Sequence, residues 1–196
     1  MAGTDHVGVG DGTVALIPWE QLNAEEILEF VLRCRDHLRP WEPERPPSHY
    51  SLAGQEEALA RYRSARESGL EFIFGIRAHD AGLAGRVALT GVARGPFLNA
   101  NLGYCVAPET CSRGVATGAV KLATRHAFEV VGLHRVQAAV MPRNGPSLRV
   151  LDKAGFRREG HALRYLKIAG EWEDHDLFAL LADEALVAEG ERCGRS

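Results

Sequence analysis

Residues 111–117, Cys-Ser-Arg-Gly-Val-Ala-Thr, place small and polar side chains between a strand-like segment and a long amphipathic segment. The strand candidate spans residues 102–106, and small or apolar side chains recur at helical spacing from Val115 to Val130. A helix that opens in this way leaves backbone N–H groups without intrahelical partners, and its dipole adds positive potential there. The pattern predicts a phosphate or pyrophosphate seat formed by Ser112, Arg113, Gly114, Val115, Ala116 and Thr117. The alternative is a small-residue turn that lets the helix pack closely on a sheet.

Two common phosphate-binding loops are absent from the sequence. There is no G-x-x-x-x-G-K-[ST] segment, and no G-x-G-x-x-G segment followed by an acidic residue after a second strand. The chain therefore has neither the P-loop nor the dinucleotide-binding fingerprint.

A second group of residues follows the next strand candidate at defined spacing. Asn144 and Ser147 open a helical segment that ends at Gly155-Phe156. Together with Gly114 and Ala116, these residues resemble the motifs of the GNAT N-acetyltransferase superfamily, in its RimJ/RimL-like branch that acetylates ribosomal-protein N-termini. The family loop has the pattern [QR]-x-x-G-x-[GA], and Cys111 stands where Arg or Gln is usual.

Two further segments support the resemblance, which covers about residues 13–182. Residues 37–41, His-Leu-Arg-Pro-Trp, resemble the branch's segment after the first helix, and residues 170–175 resemble its last hairpin. The resemblance implies an α/β (α+β) fold, with a mixed, mostly antiparallel central sheet flanked by helices. It also implies acetyl-CoA as co-substrate, with no metal.

The resemblance implies roles for residues on the strand over 102–106 and at the start of the helix that follows Asn144. Tyr104, Cys105 and Val106 would hold the pantetheine arm, and their backbone N–H groups would stabilise charge on the thioester oxygen. Asn144 would bond the pantetheine amides or shape the strand end. Ser147 would donate a hydrogen bond to the departing sulfur or relay a proton to it through water, because Leu151 stands where many relatives carry a tyrosine. The candidate catalytic residues are Ser147, Asn144 and Tyr104, and the alternative for Ser147 is a helix cap.

The general base is the open point, because Asn101 stands where many relatives carry glutamate. An α-amine with a pKa near ~8 is about 10% neutral at pH 7, whereas a lysine amine near ~10.4 is below about 0.1% neutral. The difference corresponds to about 3 kcal/mol, so a missing base is more tolerable for an α-amine. The acceptor-side candidates are Trp41, Glu42, Asn101, Glu173 and His175. Glu173, Asp174 and His175 are either water-mediated bases or an ordinary exposed polar hairpin.

Composition places the chain among ordinary globular proteins. It has 196 residues, 45% hydrophobic and 25% charged, with a net charge of −3. No block of Lys and Arg indicates a nucleic-acid partner, and no apolar run approaches the ~18 residues of a membrane helix. The four cysteines form no C-x-x-C pair, and the N-terminus has no signal-peptide pattern, so we expect a cytoplasmic protein with reduced thiols.

The periodicity predicts the element order β-α-α-β-β-β-α-β-α-β-β in one domain over residues 13–182. Residues 1–12 and 183–196 are expected to be flexible tails. Asn23 is the expected cap of a first helix over residues 24–38, a second helix is expected over 55–67, and residues 162–168 and 172–180 are expected to form the last hairpin.

The leading hypothesis is an acetyl-CoA-dependent N-acetyltransferase that acts on the α-amine of a protein or peptide N-terminus, of the ribosomal-protein-alanine type. One alternative is acetylation of a small amine such as an antibiotic, a polyamine or an amino acid. Another is a non-catalytic acyl-CoA sensor. A homodimer is left open.

Overall fold

The structure, a computed structural model, describes residues 7–9, 14–78 and 81–185. These residues form eight strands and four α-helices: β1 Val7–Val9, β2 Val14–Pro18, α1 Ala24–Leu38, α2 Leu52–Glu67, β3 Phe72–Ala78, β4 Ala81–Ala93, β5 Asn99–Val106, α3 Val115–Arg125, β6 Arg135–Val140, α4 Gly145–Lys153, β7 Arg157–Ile168 and β8 Glu171–Leu181. The strands form one sheet in the order β1-β2-β3-β4-β5-β6-β8-β7. Within the described ranges, β5 and β6 are the one parallel pair. The expectation of a mixed, mostly antiparallel sheet flanked by helices is confirmed.

Side-chain caps fix where the first two helices begin. Asn23 Oδ1 accepts a hydrogen bond from the Glu26 N–H at 2.7 Å, as expected of the cap of α1. The α2 helix begins at Leu52, three residues before the predicted start, because the Ser51 hydroxyl accepts from the Gly54 N–H at 3.2 Å. The sequence did not predict the Ser51 cap, because α2 has few buried positions and therefore little apolar periodicity to mark where the helix begins.

The sheet separates two apolar cores. On one face, Phe74, Leu89 and Val136 lie in a core that α3 and α4 complete. On the other face, Ile73 packs in a core with Trp19 and the buried side of α1. Because successive side chains of a strand point to opposite faces, each central strand contributes to both cores.

The start of the chain differs from the expectation. Val7–Val9 forms a strand that pairs antiparallel with β2, where the sequence predicted a flexible tail. Three residues are too few to show a strand period, so pairing with β2 decides their conformation. The remainder of residues 1–12 and residues 186–196 lie outside the described residues. No helix in the described part of the chain is long and apolar enough to cross a membrane.

A charged cluster holds the β7–β8 hairpin on its outer face. His161 Nδ1 lies 2.9 Å from Asp176 Oδ1, and His161 Nε2 lies 3.2 Å from Asp174 Oδ2. Asp174 also accepts from the Arg164 N–H at 2.8 Å, and Arg158 binds Asp176 at 2.7 Å. Only a protonated imidazole donates from both nitrogens, so the hydrogen bonds to Asp176 and Asp174 raise the pKa of His161 above its usual 6.5.

This cluster predicts a pH-dependent contribution to stability. A group whose pKa is raised by folding stabilises the fold fully below its unfolded value, here near 6.5, and loses that contribution as pH rises through the folded value. His161→Gln should therefore lower the melting temperature more at pH 6 than at pH 9. His134→Gln, at an exposed position before β6, is the control. An equal loss at both pH values would show that His161 is not held as the cation.

Candidate active site

The sheet opens beside β5. Strand β5 pairs with β4 from Asn99 to Val106, whereas its pairing with β6 stops at Asn101 opposite Gln137. The Gln137 side-chain amide donates to Asn101 Oδ1 at 2.7 Å, which closes the point where the two strands separate. Backbone groups of residues 102–106 that point away from β4 therefore face an opening rather than a neighbouring strand. Such groups are ready donors and acceptors for an extended ligand.

The phosphate-type loop has the geometry expected of an anion seat. Gly114 precedes α3 with φ of +80°, and no side chain caps this helix. The first helical bond runs from the Gly118 N–H to the Gly114 carbonyl at 2.9 Å, so the N–H groups of Val115, Ala116 and Thr117 have no carbonyl of their own helix to bind. The first turn carries no acidic side chain that would repel an anion.

The surroundings of Gly114 leave room for a ligand. A Cβ atom built there would meet no heavy atom within 4 Å, although a positive φ strains most side chains. Ser112 also has a positive φ, +61°, and Arg113 is exposed. The Cys111 thiol turns away toward His37, with Sγ 3.8 Å from Nε2. The residues present fit a pyrophosphate, and Cys111 contributes no charge to it.

The helix that follows β6 brings three predicted residues together. Asn144 Oδ1 accepts from the Ser147 N–H at 3.2 Å and so caps α4. Ser147 is therefore not the cap, and its hydroxyl lies 2.7 Å from the Tyr104 hydroxyl. The Tyr104 hydroxyl also donates to the Ser147 carbonyl at 3.1 Å. Asn144 orients Ser147, and Ser147 meets Tyr104.

Tyr104 places a phenol beside Ser147, whereas position 151 carries leucine. Leu151 is fully buried in the core, whereas Tyr104 reaches the start of α4 from the neighbouring strand β5. Burial raises the pKa of Tyr104 to about 12, although the hydrogen bond from Ser147 opposes the rise. The phenol therefore stays protonated at neutral pH and acts as a hydrogen-bond donor. Because Tyr104 reaches α4 from a different strand, the spacing of residues within α4 could not predict this contact.

On the opposite face of β5, a cavity of about 360 Å³ lies against Cys105. Its walls come from α1, the segment after α1, α2, β4, and Ala169 in the β7–β8 turn. The Ala169 N–H donates to the Glu42 carbonyl at 3.2 Å and holds this turn against the wall. Glu42, one of the predicted acceptor-side residues, lines this cavity, and burial raises the pKa of the Cys105 thiol to about 12.

The other predicted acceptor-side residues take different positions. Glu173 binds Arg143 at 2.5 Å, and the Arg143 guanidinium lies 5.1 Å from the centre of the Trp41 ring. Arg143, the residue directly before Asn144, therefore links Trp41 to Glu173 of β8. Neither its residue type nor its position in the sequence indicated this role. Asn101 lies where β5 and β6 separate.

The last hairpin is not the uniformly exposed polar segment that the sequence allowed. His175 is only 3% exposed, and its Nδ1 donates to the Glu173 carbonyl at 3.0 Å. Asp174 binds His161 and the Arg164 N–H, so it is separated from Glu173 and His175. Within the described ranges, no group of three or more His, Cys, Asp or Glu side chains is placed to hold a metal ion.

Comparison with known proteins agrees with this geometry. Residues 13–157 match the family described as "Acetyltransferase (GNAT) domain". The "Probable N-acetyltransferase YjcK" of Bacillus subtilis is 39% identical over 170 residues, covering 86% of this chain and 94% of the relative. The "[Ribosomal protein uS5]-alanine N-acetyltransferase" of Escherichia coli is 33% identical over 159 residues, covering 81% of this chain and 82% of the relative.

A solved structure shows the same similarity. Mycobacterium smegmatis RimJ, in complex with CoA-disulfide, is 33% identical and superposes with a TM-score of 0.85 over 96% of each chain. The B. subtilis and E. coli relatives are named acetyltransferases, and they match more than four fifths of the chain, so the alternative of a non-catalytic acyl-CoA sensor is wrong. The chain belongs to the GNAT acetyltransferases and is an acetyl-CoA-dependent N-acetyltransferase of the RimJ/RimL-like branch.

Proposed function

We propose that the acceptor is the α-amine of a protein N-terminus, of the ribosomal-protein-alanine type. The observation that carries this proposal is Asn101, an amide bound to Gln137 at the position where the family commonly places a carboxylate. An amide cannot take a proton from a lysine ammonium, whereas an α-amine is partly neutral without help. The similarity to the E. coli uS5-alanine N-acetyltransferase supports the same acceptor class.

In this proposal the opening beside β5 receives acetyl-CoA, which supplies the acetyl group as a thioester. The N–H groups at the start of α3 bind its pyrophosphate, because no side chain caps them and the first turn carries no acidic residue. Backbone N–H groups within residues 102–106 that face the opening stabilise negative charge on the acyl oxygen. Asn144 fixes α4 so that Ser147 and Tyr104 meet at the same opening.

The acceptor enters from the cavity on the other face of β5. Its amine nitrogen forms the new bond to the acyl carbon, the carbon–sulfur bond breaks, and the amine loses one proton while the sulfur gains one. Cys105 is not an acetyl carrier, because its raised pKa keeps the thiol protonated. Transfer is therefore direct. As the sulfur departs, the Tyr104 hydroxyl turns from the Ser147 carbonyl to the Ser147 hydroxyl, whose own proton is then free to be donated to the sulfur.

The acceptor class is tested with two matched peptides. One has a free N-terminal alanine and no lysine, and the other has a blocked N-terminus and one lysine. Mass spectrometry should find the acetyl group on the first peptide. With acceptors of different amine pKa, the midpoint of kcat/KM against pH should follow the acceptor's own value. Preferred lysine modification would overturn the proposal, and turnover of a small amine with neither peptide would favour the small-molecule alternative.

The pyrophosphate seat is tested by two variants at Gly114 whose side chains tolerate the positive φ of this position equally well. Asn and Asp both tolerate positive φ, and the side chain at Gly114 would enter open space. Gly114→Asp should weaken acetyl-CoA binding at least about tenfold more than Gly114→Asn, because only the aspartate repels the phosphates. Calorimetric titration measures both affinities. Equal affinities would place the pyrophosphate elsewhere.

The Tyr104–Ser147 pair is tested by a double-mutant cycle. Ser147→Ala and Tyr104→Phe should each lower kcat about tenfold, about 1.4 kcal/mol, and the double variant should lose little more because the two hydroxyls act as one unit. The Kd for acetyl-CoA should change less than kcat, since the hydrogen bond strengthens as the sulfur gains charge. An unchanged kcat in both single variants would leave the pair with a structural role alone.

A further inference from the structure

The cavity on the α1 face carries more positive than negative charge. Its lining includes four arginines and two glutamates: Arg35, Arg39, Arg45, Arg86, Glu42 and Glu44. His49 also lines it, but burial and the nearby Arg45 and Arg86 lower the pKa of this histidine to about 4. The imidazole is therefore uncharged at neutral pH, and the lining keeps two positive charges in excess.

One of the two carboxylates is occupied by the protein itself. Glu42 lies 3.5 Å from Arg45 Nη2 and 3.7 Å from Arg86 Nη2, so two guanidinium groups share one carboxylate. Arg86 is directly opposite Cys105 in the β4–β5 ladder, which places this group at the β5 wall of the cavity. A cationic acceptor therefore finds Glu42 already neutralised.

Several arginine donors in this wall lack an anionic partner. Arg35 lies over the Tyr50 ring at 4.5 Å, and neither Arg35 nor Arg39 forms an ion pair within residues 14–78 and 81–185. Arg45 Nε is buried and has no acceptor among those same residues. Buried donors normally have partners, so the buried Arg45 Nε is suited to a ligand that brings oxygen atoms, and the exposed Arg35 and Arg39 add positive charge beside it.

We infer that this cavity selects acceptors that carry carboxylates on the residues directly after the reactive amine, and that it discriminates against polycationic amines. The inference rests on the proposed function in one respect, namely that the acceptor enters through this cavity. A volume near 360 Å³ is at the lower end of the range for ligand pockets, so the cavity receives the leading residues of a chain. Guanidinium groups bind carboxylates with two parallel hydrogen bonds, which gives direction as well as attraction.

The experiment compares free N-terminal peptides that differ only at the second and third residues, with sequences beginning Ala-Glu-Glu, Ala-Gln-Gln and Ala-Arg-Arg. The full-length enzyme should show kcat/KM in that order, with at least about tenfold between the first and the last. Arg39→Glu should reduce this ratio to below about threefold, since it converts one unpaired cation into an anion at an exposed position. Arg63→Glu is the charge control, because it makes the same change in charge at a position on α2 outside the cavity lining.

Binding provides a readout that does not depend on turnover. The acetylated forms of the Ala-Glu-Glu and Ala-Arg-Arg peptides are titrated calorimetrically into the enzyme with coenzyme A present, and the acidic peptide should bind more tightly. If no peptide is acetylated, the proposed acceptor class fails while this titration still decides the charge preference. Equal or tighter binding of the Ala-Arg-Arg form would overturn the inference. So would a charge preference that Arg39→Glu changes no more than Arg63→Glu does.

Discussion

The early end of the β5–β6 pairing is the constraint on which the rest of the site depends. A parallel pair that continued beyond Asn101 and Gln137 would satisfy the backbone of residues 102–106 and leave no place for an extended ligand. The hydrogen bond between these two amides fixes where the strands part. The family resemblance predicts a carboxylate at position 101, and the amide that stands there instead closes the strand separation.

The alternation of side chains along β5 then divides the chemistry between two faces. Tyr104 points toward α4 and meets Ser147, while Cys105 lines the cavity bounded by α1 and α2. A single strand is thus the common wall of the opening, where we propose that acetyl-CoA binds, and of the cavity, where we propose that the acceptor enters. Burial on both faces keeps the phenol of Tyr104 and the thiol of Cys105 protonated. The strand therefore contributes hydrogen-bond donors and shape, and neither side chain provides an anionic nucleophile.

Local sequence signals predicted most of the fold and part of the site. The Asn23 cap, the helix that opens after Gly114 and the last hairpin each depend on residues close together in the chain. The features that were missed depend on contacts between distant segments. Val7–Val9 gains its conformation from β2, Tyr104 reaches Ser147 across the sheet, and Arg143 joins Trp41 to Glu173. Spacing within one segment carries no information about such contacts. The charge of the cavity was missed for the same reason, because its arginines come from α1, the following segment and β4.

Hydrogen–deuterium exchange with and without acetyl-CoA tests the central claim most directly, because it reports on backbone groups and needs no acceptor. If the ligand occupies the opening beside β5 with its pyrophosphate at the start of α3, exchange should slow together in residues 102–106 and 114–118. The outer β7–β8 positions around His161 should exchange at an unchanged rate. Protection confined to other segments, or protection at α3 without any at β5, would contradict the account.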